Sequence, residues 1–170
     1  MSAATHPTPP PGCALRSARP EDVPLVLSFI RKLAEYEKLS HLVRITEAEL
    51  REHLFGARPY AEALLIEADG KPAGFALFFH NYSTFAGKPG IFLEDLFVDP
   101  EYRGRGLGRA VMAHLAHLAV ARGCARFEWS VLDWNAPSIA FYKGLGAQPL
   151  DEWTVYRLDG AALRTLAGLG

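Results

Sequence analysis

The stretch DPEYRGRGLGRAVMAHL, residues 99–115, carries the clearest structural signal in the chain. Its segment RGRGLGR, residues 103–109, interleaves three glycines with three arginines, and an apolar pattern follows. That pattern repeats at helical spacing, with one apolar residue for each turn at Leu107, Val111, Leu115 and Leu118. We therefore predict a glycine-rich turn that leads into a helix from about Leu107 to Arg122.

A turn of this composition favours binding of an anion. The first turn of a helix has unpaired backbone N–H groups and a partial positive charge of roughly half an elementary unit. Glycine leaves room for an anion and adopts the dihedral angles of a tight turn, and arginine pairs with phosphate. The residues that supply these properties are Arg103, Gly104, Arg105, Gly106, Gly108 and Arg109. They indicate a pyrophosphate-binding turn, and the alternative is a plain glycine-rich turn with solvated arginines.

Two other phosphate-binding motifs do not fit this segment. A Walker A loop ends in Lys followed by Ser or Thr, which the segment lacks. A dinucleotide-binding fold has its glycine loop early in the chain and an acidic residue at the end of the second strand. Here the loop lies in mid-chain and no acidic residue stands at that distance.

Hydrophobic periodicity and turn residues outward from this segment predict an α+β domain. Strands are predicted at 14–18, 61–68, 72–83, 89–100, 125–132 and 152–158. Helices are predicted at 19–39, 46–54, 107–122 and 135–146. The sequence DGK at 69–71 is typical of a hairpin turn, and Thr46 with Glu49 forms a capping-box pattern. Hairpins followed by a strand–helix–strand–helix–strand run favour a mixed sheet.

Length and composition limit the possible classes of protein. The 170 residues suit a single domain, which we place at 14–170 after a Pro- and Thr-rich flexible leader at 1–13. A net charge of −1 gives no attraction to nucleic acid or to an anionic membrane, and no apolar run predicts a transmembrane helix. Cys13 and Cys124 do not form a disulfide framework, so we expect a cytoplasmic protein.

Two motifs in the correct order resemble the GNAT superfamily of N-acetyltransferases. The first is the turn of Arg103, Gly106 and Gly108, and the second is the segment NAPSIAFY with Asn135, Ser138 and Tyr142. The segments RKLAEYEKL and FLEDLFVDPEYRGRGLG further resemble the spermidine/spermine branch, which includes enzymes for thialysine and other diamines. The resemblance implies a mixed, mostly antiparallel central sheet with helices on both faces and with strands splayed apart at the cofactor site.

The resemblance also implies roles for particular residues in acetyl transfer from acetyl-CoA to a small amine. Tyr142 would protonate the departing thiolate, Glu94 would help to deprotonate the amine, and Asp95, Tyr36 and Glu37 would bind the acceptor. The residues implied for the cofactor are Leu96, Phe97, Val98, Arg103, Gly104, Arg105, Gly106, Leu107, Gly108, Arg109, Asn135, Ser138, Tyr142 and Lys143. Members of this branch pair as dimers, so we expect a homodimer in which 152–158 supplies the contact.

The chemistry of the residues agrees with these roles. An alkyl amine has a pKa near 10 and must lose a proton before it attacks a thioester, so a carboxylate near the acceptor is required. Glu94 and Asp95 are neighbours on an otherwise apolar strand, so we expect their side chains to point to opposite faces. We therefore expect one of the two to face an interior or a cleft, while pairing with an arginine is the structural alternative.

Other candidate sites have weaker support in the sequence. His114 and His117 lie three apart on one helix without a third ligand, so we expect no metal. His80 and Cys124 lack partners that would indicate catalysis. The segment KGLGAQPLDEW, 143–153, departs from the spermidine/spermine pattern, which leaves the acceptor open. A peptide or amino-acid amine, or a non-catalytic acetyl-CoA-binding module, are the alternatives to a diamine or polyamine.

Overall fold

A long antiparallel hairpin organises the sheet in the computed structural model, which describes residues 7–169. Its strands are joined at Asp69 and Gly70, which have φ angles of 53° and 73°. Two successive residues in the left-handed region are typical of the turn whose twist matches a β-hairpin. The turn predicted at 69–71 is confirmed.

Five strands and five α-helices follow one another along residues 7–169. The strands are β1 (Cys13–Ser17), β2 (Glu62–Ala68), β3 (Lys71–Ser83), β4 (Lys88–Val98) and β5 (Phe127–Trp129). The helices are α1 (Val23–Tyr36), α2 (Glu47–Phe55), α3 (Leu107–Ala121), α4 (Ala136–Gly144) and α5 (Gly160–Leu166). Single turns of 3₁₀ helix lie at Pro20–Asp22, Ser40–Leu42 and Pro100–Tyr102.

The strands form one sheet in the order β1-β2-β3-β4-β5. The first four are antiparallel to their neighbours, and β5 is parallel to β4. The chain divides into two compact units after Ser130, so the sheet and α1 to α3 belong to the first unit and α4 and α5 to the second.

Helices cover both faces of the sheet. In β2, residues 63–66 are all buried, which requires packing partners on each side. Ala63 and Leu65 belong to a core with α1 and α2, in which Phe29 stacks on Phe75 with ring centroids 6.0 Å apart. The alternate residues of β2 face the other side, where α3 packs against β4 and β5. The predicted fold class, a mixed and mostly antiparallel sheet with helices on both faces, is confirmed.

Two elements near the C-terminus differ from the sequence prediction. The strand predicted at 152–158 is wrong, because those residues pair with no described strand and are exposed. Helix α5 was not expected. Apolar β-branched and aromatic residues favour a strand, but a strand also requires a hydrogen-bonded neighbour. The predicted leader lies partly outside the described residues, and β1 already begins at Cys13.

Candidate functional site

The glycine-rich turn before α3 leaves the start of that helix open. Gly106 is the N-cap residue, with a φ of 80°, and Gly104 has a φ of 75°. No side chain caps α3, and its first helical hydrogen bond runs from the Ala110 N–H to the Gly106 carbonyl, 3.0 Å. As in the first turn of any helix, the N–H groups of residues 107–109 have no acceptor within the helix itself.

Two of the three arginines in this turn have partners inside the protein. The Arg103 Nε donates to the Val98 carbonyl at 2.9 Å, and its guanidinium stacks over the Tyr36 ring at 4.9 Å. Arg105 forms a two-pronged ion pair with Asp69, with the shorter contact at 2.7 Å. Arg109 is exposed. The guanidinium groups of Arg103 and Arg105 are thus both engaged by groups of the protein itself.

The C-terminal half of β4 has an open edge. β5 pairs only with Ile91, Phe92 and Leu93, whereas β4 continues to Val98. The Asp99 N–H donates to the Ala73 carbonyl on the β3 side, so by alternation the backbone groups of Val98 and Leu96 face the open edge.

The residues of this half-strand differ in burial. Phe97 is 4 % exposed and packs against Phe29 in the core, while Leu96 and Val98 are half-buried. The expected separation of two neighbouring strands is present here, because the pairing of β4 with β5 ends at Leu93 while β4 continues to Val98.

A pocket of about 460 Å³ in the first unit contains three carboxylates, from Glu37, Glu94 and Asp95. We call it the carboxylate pocket. Glu37 comes from the end of α1 and the other two from β4. Apolar residues of α1 and of the segment before α2 complete the wall, among them Leu33, Leu39, Leu42 and Ile45.

Glu94 and Asp95 both line the carboxylate pocket, so the prediction that they face opposite sides is wrong. Leu93 pairs with Phe78 and Asp95 with Leu77, which leaves Glu94 as one extra residue in β4. Such a β-bulge interrupts the alternation of side chains and re-aims them. A bulge has no reliable signal in the sequence, whereas simple alternation is the default expectation.

The carboxylate pocket is electrostatically unbalanced. Burial raises the pKa of Asp95 to about 7, and the charges of Glu94 and Glu37 add to the rise. Burial also raises the pKa of Glu37. None of these three side chains forms an ion pair within residues 7–169, although like charges at close range disfavour ionisation of each other. The pocket therefore favours a cationic ligand.

Tyr36, the fourth residue expected at the acceptor, does not line this pocket. Its ring packs under the Arg103 guanidinium instead. Arg44 also lines the pocket, from its place between the 3₁₀ turn and α2, and was not predicted from the sequence. An isolated arginine in a connecting segment gives no pattern from which a site can be predicted.

The second unit contains the remaining residues predicted to act on the cofactor. Asn135 is 6 % exposed and caps α4, with its Oδ1 accepting a hydrogen bond from the Ser138 N–H at 3.3 Å. Tyr142 lies half-buried on α4 with its ring centroid 5.2 Å from that of Phe141, and Lys143 follows it, exposed, in the last turn. Capping by Asn135 positions the first turn of the helix that carries Tyr142.

The other candidates from the sequence do not assemble into a second site. Within residues 7–169, no group of three or more metal-binding side chains is found. The His80 Nδ1 donates to the Gly90 carbonyl at 2.9 Å, and the His80 Nε2 lies 3.0 Å from the guanidinium of Arg122, which pairs with Glu62. In the same part of the chain, no helix has the length and apolarity to cross a bilayer.

The family model that matches this chain is one of acetyltransferases, and two of its relatives are named as acetyltransferases. The model of the acetyltransferase (GNAT) family matches residues 30–147. The chain is 42 % identical over 165 residues to thialysine N-epsilon-acetyltransferase of Bos taurus, covering 91 % of this chain and 96 % of the relative. It is 32 % identical to L-ornithine N5-acetyltransferase of Arabidopsis thaliana, covering 89 % and 86 % of the two chains.

Solved structures share the fold. An integron cassette protein of V. cholerae superposes with a TM-score of 0.77 at 27 % identity, covering 92 % of this chain and 98 % of the other.

Proposed function

The chain belongs to the GNAT family of acetyltransferases and is an N-acetyltransferase, and we propose that its acceptor is a small molecule with a distal primary amine. The observation that carries the proposal is the carboxylate pocket, in which three acids form no ion pair with any described residue. Relatives named for thialysine and for L-ornithine support this choice, since each of those compounds has such an amine. A diamine or polyamine also has a distal primary amine, and the assay described below distinguishes these acceptors from amino acids.

The glycine-rich turn and the open edge of β4 fit the acetyl-CoA that this family uses. We assign the diphosphate to the free N–H groups at the start of α3, because the left-handed Gly106 leaves them accessible. The N–H groups of Leu96 and Val98 on the open edge would hold the acyl end. When bound, acetyl-CoA supplies the thioester carbonyl that the amine attacks. Gly104, Gly108 and Arg109 border the same position.

We assign removal of the amine proton to Asp95, assisted by Glu94. An acceptor amine with a pKa near 10 arrives as a cation, so its proton must leave before attack. A general base is most effective when its pKa lies near the working pH, and the pKa of about 7 for Asp95 meets this condition. The sequence hypothesis placed the base at Glu94, and substitution of each residue separates the two roles.

Tyr142 is our proposal for the group that protonates the leaving thiolate. A phenol with a pKa near 10 can donate to a thiolate whose conjugate acid has a pKa near 8.5 when the thiolate forms beside it. The capped first turn of α4 fixes the helix that carries Tyr142. The same helix and its cap would also supply residues that bind the cofactor, namely Asn135, Ser138 and Lys143.

A homodimer in the cytoplasm completes the proposal. The exposed apolar side chains after α4 support self-association, since Trp153 is 70 %, Val155 86 % and Tyr156 91 % exposed. Cys13 and Cys124 are free thiols, as a reducing compartment allows. Val155→Asp is expected to shift the mass measured by light scattering from dimer to monomer.

A free-thiol release assay with a panel of amines tests the proposed function. We expect thiol release from acetyl-CoA with L-ornithine, thialysine and short diamines, and none with peptides. Tyr142→Phe should lower kcat by roughly 100-fold or more, with the Kd for CoA unchanged, as expected for loss of a general acid. Tyr82→Phe is the matched control, because Tyr82 is 61 % exposed and lies in neither the site nor the proposed dimer contact. Binding of acetyl-CoA without turnover of any amine would contradict the proposal and support a non-catalytic module.

A further inference from the structure

Arg44 is the only cationic side chain among the described residues that line the carboxylate pocket. It lies in the segment 43–45, which connects the 3₁₀ turn at Ser40–Leu42 to the cap of α2 at Thr46. The same segment lines a second cavity of about 690 Å³, so it forms the wall between the two. Arg44 is exposed and forms no ion pair within the described chain.

The carboxylate pocket therefore holds charges of both signs that do not neutralise each other. Arg44 makes no contact within 4.0 Å with any of the three acids, since no such ion pair is present among residues 7–169. Charged groups that face one pocket without pairing are free to pair with a ligand that carries the opposite charges at two separate positions. A ligand with cations alone would pair with the acids and leave Arg44 facing a like charge.

We propose that Arg44 binds the α-carboxylate of an amino-acid acceptor while the acids of the pocket bind its distal amine. An α-amino acid with a second amine carries a carboxylate at one end and an ammonium at the other, which matches this charge pattern. A guanidinium binds a carboxylate through two parallel hydrogen bonds, which fixes orientation as well as charge. Arg44 then selects amino acids over diamines. This assignment rests on the proposed function, because it concerns the acceptor of the same reaction.

A matched pair of amines tests this role directly. L-Ornithine and 1,4-diaminobutane have the same chain between two amines and differ only by the carboxylate. We expect the wild-type protein to prefer L-ornithine in kcat/KM, and Arg44→Gln to lower kcat/KM for L-ornithine by about 10- to 100-fold, mainly through KM. The same variant should leave kcat/KM for 1,4-diaminobutane unchanged or higher.

Two further variants separate recognition from a general effect. Arg31→Gln removes an exposed arginine that lines only the other cavity, and it should leave kcat/KM unchanged for both amines. Arg44→Lys should recover part of the activity with L-ornithine, since it restores the charge without the two-pronged geometry. Equal losses for both amines in Arg44→Gln, or an unchanged ratio between them, would overturn the assignment.

Direct binding distinguishes failure of this inference from failure of the proposed function. If wild-type protein acetylates neither amine, the proposed function fails, and calorimetric titration with the same two compounds still tests Arg44. Binding of L-ornithine that Arg44→Gln weakens, with binding of 1,4-diaminobutane unaffected, supports the carboxylate subsite. Equal or absent binding of L-ornithine by the wild type and the variant overturns it.

Discussion

The glycine-rich turn and the carboxylate pocket carry opposite charges and differ in how those charges are balanced. In the turn, Arg103 donates to a backbone carbonyl and Arg105 pairs with Asp69. In the pocket, three carboxylates lie together without a partner from the described chain, and the pKa of Asp95 is raised to about 7. Two cations of the first region have internal partners, whereas the carboxylates of the second form no ion pair within the described chain and destabilise the fold when they are ionised together.

The largest effect should come from removing the charge of Asp95. Because a general base contributes roughly 100- to 10,000-fold, Asp95→Asn should lower kcat/KM by about 100-fold or more. In the wild type, kcat/KM should rise as pH rises through about 7, since Asp95 accepts a proton only when ionised. The variant should lose that limb of the pH profile.

Glu94→Gln is the matched control for this measurement, because Glu94 is the exposed neighbour on the same bulge. We expect a smaller loss and a preserved limb near pH 7. A full loss in Glu94→Gln, with a normal profile in Asp95→Asn, would move the base to Glu94, as the sequence hypothesis placed it.

A substitution at the glycine-rich turn should weaken binding of the cofactor and leave binding of the amine unchanged. Gly106→Val forces a β-branched residue into a left-handed conformation that costs roughly 1–2 kcal/mol, and its side chain blocks the start of α3. We expect the Kd for CoA, measured by calorimetry, to rise by about 10- to 100-fold. Gly87→Val imposes similar backbone strain at φ 62° in the β3–β4 turn and serves as control. Equal Kd values in both variants would contradict the assignment of the diphosphate.

Ionisation of Asp95 in the carboxylate pocket should also lower the free energy of unfolding, in contrast to the paired charges of the glycine-rich turn. The folded pKa of Asp95 lies above its ordinary value of 3.8, so ionisation costs stability as pH rises from about 4 through 7. Asp95→Asn should therefore raise Tm at pH 8 by several degrees, since ~1 kcal/mol shifts Tm by roughly 2–4 °C at this size. At pH 4 the gain should vanish. A gain of equal size at both pH values would indicate a packing effect instead.

The smallest effect should come from the ion pair of Arg105. Asp69→Asn retains a residue that tolerates the positive φ of the hairpin turn, and it releases the guanidinium from its partner. An exposed pair contributes little to stability, so Tm should change by no more than about one degree. Affinity for CoA should rise by about two- to three-fold, because the released guanidinium can pair with the diphosphate. Weaker binding would instead show that the pair is needed to shape the turn.

Local patterns in the sequence predicted most of the fold. Helical spacing located α3 from Leu107, the residues of a hairpin turn located Asp69 and Gly70, and a capping box located α2. The strand predicted at 152–158 failed because its apolar residues have no neighbouring strand to pair with. Local composition reports what a segment can form, and pairing with distant residues decides what it does form.

The site was predicted less completely, for two physical reasons. Glu37, Glu94 and Asp95 were all expected at the acceptor, and they do share one pocket. The relative burial of Glu94 and Asp95 depends on a bulge, which simple alternation cannot anticipate. Arg44 was missed because it belongs to no periodic segment, and only the folding of the 43–45 connection brings it to the same pocket.

The missing cap of α3 has a consequence for how the molecule responds to its surroundings. A helix whose first N–H groups are completed by a diffusible ligand is finished only when that ligand is present. Binding to the folded chain alone shifts the folding equilibrium by mass action, in proportion to the logarithm of ligand concentration over Kd. On the proposed assignment of the diphosphate, a higher concentration of acetyl-CoA would therefore raise the free energy of unfolding of the chain.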